Sequence, residues 1–153
     1  MRLRPGHHFR ATDETWALIE LVARARTRRG LEEVGHDFGR DRYTQDLIGC
    51  FGEATYSAFS GLPWNTTIFH DGGHDFPGVD VKGVGRYHEP WLMRHVDFAI
   101  YPGVRYVCVG CDLATRRSWV AGWATGEMLL AAPIRDFGKG PTRTLRTDEL
   151  LPI

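Results

Sequence analysis

The sequence predicts an α+β fold of the α/β sandwich type, in which helices flank a central mixed β-sheet of about four to five strands. Helical periodicity fills most of the first 60 residues, and short extended segments follow it. Helical patterns return only near the end. The 153 residues, 42% hydrophobic and 25% charged, suit one domain over 1–153. It divides into an N-terminal helix and loop (1–43) and a core (44–153).

Two helices are predicted before the sheet. The first covers 12–29, with a threonine N-cap, arginines in its last turn and Gly30 just beyond it. The second covers 44–60, where apolar residues recur at i, i+3/i+4 and i+7 on one face. Gly49 and Gly52 interrupt it, each at a cost of about 1 kcal/mol relative to alanine. They therefore require a packing or functional reason.

The central part of the chain has the short, β-rich pattern of a sheet. Strands are predicted over 66–69, 79–84, 105–113 and 118–124. The polar link "ATRR" joins the last two as a hairpin. A short helix over 125–132 and a capped helical turn in "RTDELLPI" complete the chain.

Charge and cysteine usage restrict the class of protein. The formal net charge is zero, so nucleic acid could bind only through a local basic patch. Such patches exist, and the densest contains Arg24, Arg26, Arg28 and Arg29. The N-terminus has no secretory h-region, and no apolar run is long enough for a membrane span. With three cysteines, an odd number, we expect a cytoplasmic protein without a disulfide framework.

The segment "HDGGHDFPGVDVKG" (70–83) concentrates acidic residues around a turn. If Pro77 and Gly78 form a two-residue loop, Asp75 lies directly opposite Asp80. Opposed residues have Cβ atoms about 4.5–5.5 Å apart and point to the same face. Two carboxylates at that distance repel each other, which makes sense if a divalent cation such as Mg²⁺ lies between them.

The strand after the turn also carries a cation. Period two places Lys82 on the same face as Asp80, while Val79 and Val81 point into the core. A solvated, exposed hairpin explains the same pattern. A longer loop would loosen the pairing of the two aspartates.

These residues resemble the PD-(D/E)xK nuclease superfamily. The match consists of Asp75, then "DVK" at 80–82, with Glu53 as the acid of an upstream Gly-x-x-Gly-Glu helix. The segment "RYVCVGCDLATRRSWVAGWATGEML" is similar to the last two strands and following helix of small phage and bacterial members. The resemblance covers roughly residues 44–153 and implies a restriction-endonuclease-like core.

The resemblance also implies a function. Asp75, Asp80 and Glu53 would bind Mg²⁺, for which Mn²⁺ can substitute, with the Val81 carbonyl also near the metal. Lys82 would polarise the attacking water, and the product would be a cleaved DNA phosphodiester. Endonuclease and exonuclease activity are both compatible with the motif, and so is a homodimer.

Glu53 has two interpretations on its helix. At about 100° per residue it lies nearly opposite the apolar stripe, on a face with Gly49 and small residues. That face could approach a sheet or a ligand closely. Without the resemblance, an ordinary exposed glutamate is the expected interpretation.

Several departures keep other interpretations open. His74 replaces the proline that precedes the first aspartate in the family, and Asp71 is a rival for the metal ligand. The superfamily includes inactive members, so the alternative is a nuclease-fold accessory module that binds DNA or protein. A zinc site at His70 and His74 is a third hypothesis. Cys108 and Cys111 are expected on opposite faces of one strand, as small buried residues.

Overall fold

The computed structural model describes residues 8–34, 42–66 and 74–153. In these ranges the elements are β1 (His8–Arg10), α1 (Asp13–Val34), α2 (Arg42–Ser60), β2 (Val79–Val84), β3 (Leu92–His95), β4 (Arg105–Asp112), β5 (Arg117–Thr125), α3 (Gly126–Ala131), β6 (Ile134–Asp136), β7 (Pro141–Leu145) and a 3₁₀ turn (Thr147–Glu149). Both predicted N-terminal helices are confirmed. α1 continues beyond Gly30, and α2 begins two residues earlier than predicted.

Four strands form the central sheet in the order β1-β5-β4-β2. β2 runs parallel to β4, whereas β4 and β5 form the predicted antiparallel hairpin and β1 pairs antiparallel with β5. The sheet is therefore mixed, and the predicted α+β class is confirmed. Among the described strands β2 lies at the edge of this sheet, and it carries Asp80.

A second sheet, which the sequence did not predict, has the order β3-β7-β6 and is antiparallel. Its strands have only three to five residues, and β7 begins with a proline, so none of them has a distinct alternating pattern. Pairing between segments distant in the chain defines them. The strand predicted over 66–69 lies outside the described residues apart from Thr66, which is not in a strand.

The central sheet is covered by apolar side chains on both faces. One cluster joins α1 and α2 to the sheet and includes Ile19, Phe51 and Val107. The other cluster lies against α3 and the second sheet. Cys108 belongs to this second cluster and Cys111 to the first, which confirms the opposite faces expected for them. All three cysteines are free and buried.

Two glycines let α2 approach the edge strand. A Cβ on Gly52 would lie 2.9 Å from the Gly83 Cα and 3.0 Å from its nitrogen, while one on Gly83 would collide with the Ile48 carbonyl. The close approach of α2 to β2 thus explains why position 52 is a glycine. A Cβ on Gly49 would meet nothing within 4 Å.

No helix in the described ranges has the length and apolar character needed to cross a membrane.

Candidate active site

The acidic hairpin has the predicted two-residue turn. Phe76 and Val79 form an antiparallel bridge, with hydrogen bonds of 3.0 Å from the Phe76 amide and 2.9 Å from the Val79 amide. Gly78 adopts a φ of 67°, a left-handed conformation that glycine adopts easily. Phe76 is buried against Tyr56 and anchors the turn to α2. The hairpin is therefore a fixed part of the core.

Asp75 and Asp80 lie close together at the open end of this hairpin. Burial raises the pKa of Asp75 to about 6, with a further increase from the charge of Glu53. Burial also raises the pKa of Asp80 to about 6, and the charge of Asp75 adds to this effect. The charge of Asp75 thus acts on Asp80 with the sign expected from the sequence, whereas the charge that raises the pKa of Asp75 is that of Glu53.

Two neighbouring groups hold these carboxylates. The Val81 amide donates a 2.7 Å hydrogen bond to Asp75 Oδ2. Arg94 Nη1 on β3 donates to Asp80 Oδ2 at 3.0 Å. The Asp80 side chain is 28% exposed, so the interpretation of a fully solvated hairpin face does not apply. The two aspartates have defined positions.

Glu53 reaches the same site from α2. It is only 5% exposed, so the interpretation of an ordinary exposed glutamate is wrong. Arg26 Nη1 donates to Glu53 Oε2 at 2.7 Å, and Trp64 Nε1 donates to the same oxygen at 3.1 Å. The charge of Glu53 also raises the pKa of the Asp75 carboxyl. Arg26, which the sequence placed in a basic patch, points inward instead.

A cavity of about 800 Å³ unites the predicted site residues. The five that line it are Glu53, Asp75, Asp80, Val81 and Lys82. Val79 and Val81 turn their side chains into the core, and Lys82 is exposed, as period two predicts. The acids and the lysine therefore line one cavity.

The rest of the lining comes mainly from the second sheet and its loops, which sequence reasoning did not connect with the site. Its lining residues are Met93, Arg94, His95, Phe98, Phe137, Lys139, Gly140 and Thr142. Lys139 is one of several basic residues near the C-terminus, a pattern that is compatible with phosphate binding. No local motif marks the others, because the fold alone brings them to the acids.

The donor set suits a hard divalent cation in part. Mg²⁺ commonly uses one or two carboxylates together with water and phosphate oxygens, and Asp75 and Asp80 provide such a pair. However, no cluster of three or more His, Cys, Asp or Glu side chains arranged to hold a metal occurs among the described residues. Glu53 Oε2 already accepts hydrogen bonds from Arg26 and Trp64. The fit is therefore to a two-carboxylate site.

Of the three alternative ligand residues, only His74 lies within the described part of the chain. Asp71 and His70 lie outside the described residues. His74 is described, and its ring packs edge-on against Tyr101 with the centroids 5.7 Å apart. The predictions of Asp71 as a ligand and of a zinc site therefore stay predictions.

Comparisons with known proteins do not identify a family. No family model matches the chain. Neither the curated proteins nor the solved structures gave a significant match. The function must therefore be inferred from the site itself.

Proposed function

We propose that this protein hydrolyses phosphodiester bonds of DNA with the help of Mg²⁺, which Asp75 and Asp80 would bind. One observation carries the proposal. Two largely buried carboxylates with raised pKa values lie close together on the hairpin, where the charge of Glu53 repels that of Asp75 and the charge of Asp75 repels that of Asp80. Lys82 follows Asp80 on β2. A divalent cation would relieve that repulsion.

Each residue has a distinct part in the proposed reaction. When bound, Mg²⁺ lowers the pKa of a coordinated water and neutralises charge on the phosphate. Lys82 points an ammonium group into the same cavity, where it can stabilise negative charge that develops on the phosphate oxygens. The Val81 amide holds Asp75 in place. A metal contact by the Val81 carbonyl stays a prediction from the resemblance.

Glu53 is proposed to position the site. Arg26 and Trp64 donate hydrogen bonds to one of its carboxylate oxygens, and Glu53 lines the same cavity as Asp75, whose pKa its charge raises. It therefore links α1, α2 and the loop after α2 to the hairpin. Direct ligation of a metal by Glu53 stays a prediction.

A second candidate is a nuclease-fold module that binds DNA or a protein without cutting. The observation in its favour is that protein cations already compensate two of the acids. Arg94 pairs with Asp80 at 3.0 Å and Arg26 with Glu53 at 2.7 Å. Such ion pairs can balance the negative charge that a metal ion would otherwise balance. This candidate predicts salt-sensitive binding, no cleavage and no effect of metal on the melting temperature.

Cleavage assays decide between the two candidates. Purified protein with Mg²⁺ or Mn²⁺ should cut DNA supplied as a closed plasmid, a linear duplex or a single strand, and Lys82→Ala and Asp80→Ala should each abolish the cutting. The exposed Asp148, whose side chain is 75% accessible, provides the control substitution Asp148→Ala, which should leave cutting unchanged. Cutting that survives in both site variants would contradict the proposal. Relaxation of closed plasmid would identify an endonuclease.

A further inference from the structure

Two exposed phenylalanines line the same cavity as the acids. Phe98 follows β3 and is 63% exposed, and Phe137 follows β6 and is 54% exposed. Exposed aromatic rings beside charged groups in a cavity are typical of a binding surface. We call these two rings, together with Lys82 and Lys139, the stacking wall.

The loop that carries Phe137 has a fixed shape. Asp136 Oδ1 accepts hydrogen bonds from the Gly138 amide at 2.8 Å and from the Gly140 amide at 3.2 Å. Both glycines have positive φ, 98° and 94°. Any side chain at Gly140 would also collide with the ring of His95. The loop therefore holds Phe137 and Lys139 in place at the cavity.

Further contacts support both rings. The Phe137 ring contacts Trp91, with centroids 5.8 Å apart, and the Arg86 guanidinium lies 4.3 Å from the centroid of Trp91. Arg94 lies 5.8 Å from the centroid of Phe98. Each ring therefore has a neighbouring side chain in contact, while more than half of each residue stays open to solvent.

We propose that the stacking wall binds unpaired nucleotides, so that the substrate is single-stranded nucleic acid or a single-stranded end. Aromatic rings that stack on bases, together with cations for the backbone, are the usual device for binding single strands. Bases inside a duplex stack on each other and do not offer a face to a protruding ring. This proposal rests on the proposed function, for which it names the substrate class.

The charges of the wall complement a phosphate backbone. Lys82 and Lys139 are exposed, and neither forms an ion pair within the described residues. The core of a protein–protein interface is depleted in charged residues. Here lysines line the same cavity as the rings, which favours a polyanion over a protein surface.

Binding can be measured separately from cutting. Fluorescence anisotropy in EDTA would compare a single DNA strand of about 12 nucleotides with the matching duplex, an abasic strand and an RNA strand of the same sequence. We expect the single strand to bind roughly tenfold more tightly than the duplex and the abasic strand, because stacking needs free bases. Comparison of the DNA strand with the RNA strand shows whether the site binds deoxyribose, ribose or both.

Variants test the rings directly. Phe98→Ala and Phe137→Ala should each weaken single-strand binding by about fivefold or more, with unchanged melting temperatures since both rings are exposed. Leu21→Ala removes a side chain of similar exposure, 64%, from α1 and should have no effect.

Three results would overturn the proposal. The first is equal binding of single strand and duplex, or of normal and abasic strands. The second is unchanged binding in both phenylalanine variants. The third is a dimer detected by light scattering that Phe98→Ala converts to a monomer, since the wall would then be a contact between copies of this chain. Single-strand binding by a protein that cuts nothing would support this inference and contradict the proposed hydrolysis, so the two failures are distinguishable.

Discussion

The guanidinium of Arg26 on α1 donates a 2.7 Å hydrogen bond to the carboxylate of Glu53 on α2. The two side chains are only 13% and 7% exposed. The desolvation cost of each charge is therefore compensated mainly by the other, and α1 is electrostatically linked to the site.

Removal of one partner should leave the other buried charge without this ion pair. We expect Arg26→Met and Glu53→Gln each to lower the free energy of unfolding by about 3 kcal/mol. The double variant should lose clearly less than the sum of the two, as measured by urea denaturation in a double-mutant cycle. Arg24→Met, which breaks the exposed pair with Glu20, should cost under about 0.5 kcal/mol. Strict additivity of the first two changes would contradict a direct interaction.

The two glycines of α2 should respond in opposite ways to alanine. Gly52→Ala would place a methyl group 2.9 Å from the Gly83 Cα, and we expect a loss of about 1–3 kcal/mol from overpacking. Gly49→Ala meets nothing within 4 Å and should stabilise α2 by up to about 1 kcal/mol. Thermal unfolding of both variants checks this. Equal effects would show that the close approach of α2 to β2 does not limit stability.

The raised pKa of Asp80 predicts a pH-dependent effect of Asp80→Asn. Its pKa is about 6 in the folded protein and 3.8 without the fold, so the folded state holds the proton more tightly. Ionisation therefore destabilises the fold as the pH rises between these values, and the penalty is complete above them.

The melting temperature of Asp80→Asn relative to the wild type should therefore increase with pH. We expect a relative gain of about 1 kcal/mol at about pH 8 compared with about pH 4, a modest value because the side chain is 28% exposed. Melting curves across this range measure it. A difference that stays constant, or grows towards acid pH, would show that Asp80 is not destabilised by ionisation.

Metal binding should raise the stability of the folded protein. At a Mn²⁺ concentration of about ten times Kd, mass action adds about 1.4 kcal/mol, or a few degrees in melting temperature. Asp75→Asn and Asp80→Asn should lose this shift, whereas Asp148→Asn on the exposed 3₁₀ turn should keep it. The shift should also fade as the pH drops below about 6, because protons then compete for both carboxylates. No shift in the wild type would favour the binding module.

Local rules in the sequence determined the acidic hairpin. Pro77 and Gly78 specify a turn of two residues, and this alone sets Asp75 near Asp80. The period of two along β2 then places Lys82 beside Asp80 and buries Val81. The same kind of rule predicted both long helices and the hairpin of β4 and β5. These features depend on neighbours within a few residues, so one sequence is enough to predict them.

Only the tertiary structure decided which arginines pair with the acids and which residues line the rest of their cavity. Arg26 and Glu53 are 27 residues apart and Arg94 and Asp80 are 14 apart, so each pair forms only when separate elements dock. A helical wheel of α2 alone predicts that Glu53 is exposed, because it does not include the contacts of Glu53 with α1 and Trp64. The second sheet, with Phe98 and Phe137, arises from short strands that lack a pattern of their own and are stabilised by pairing with each other.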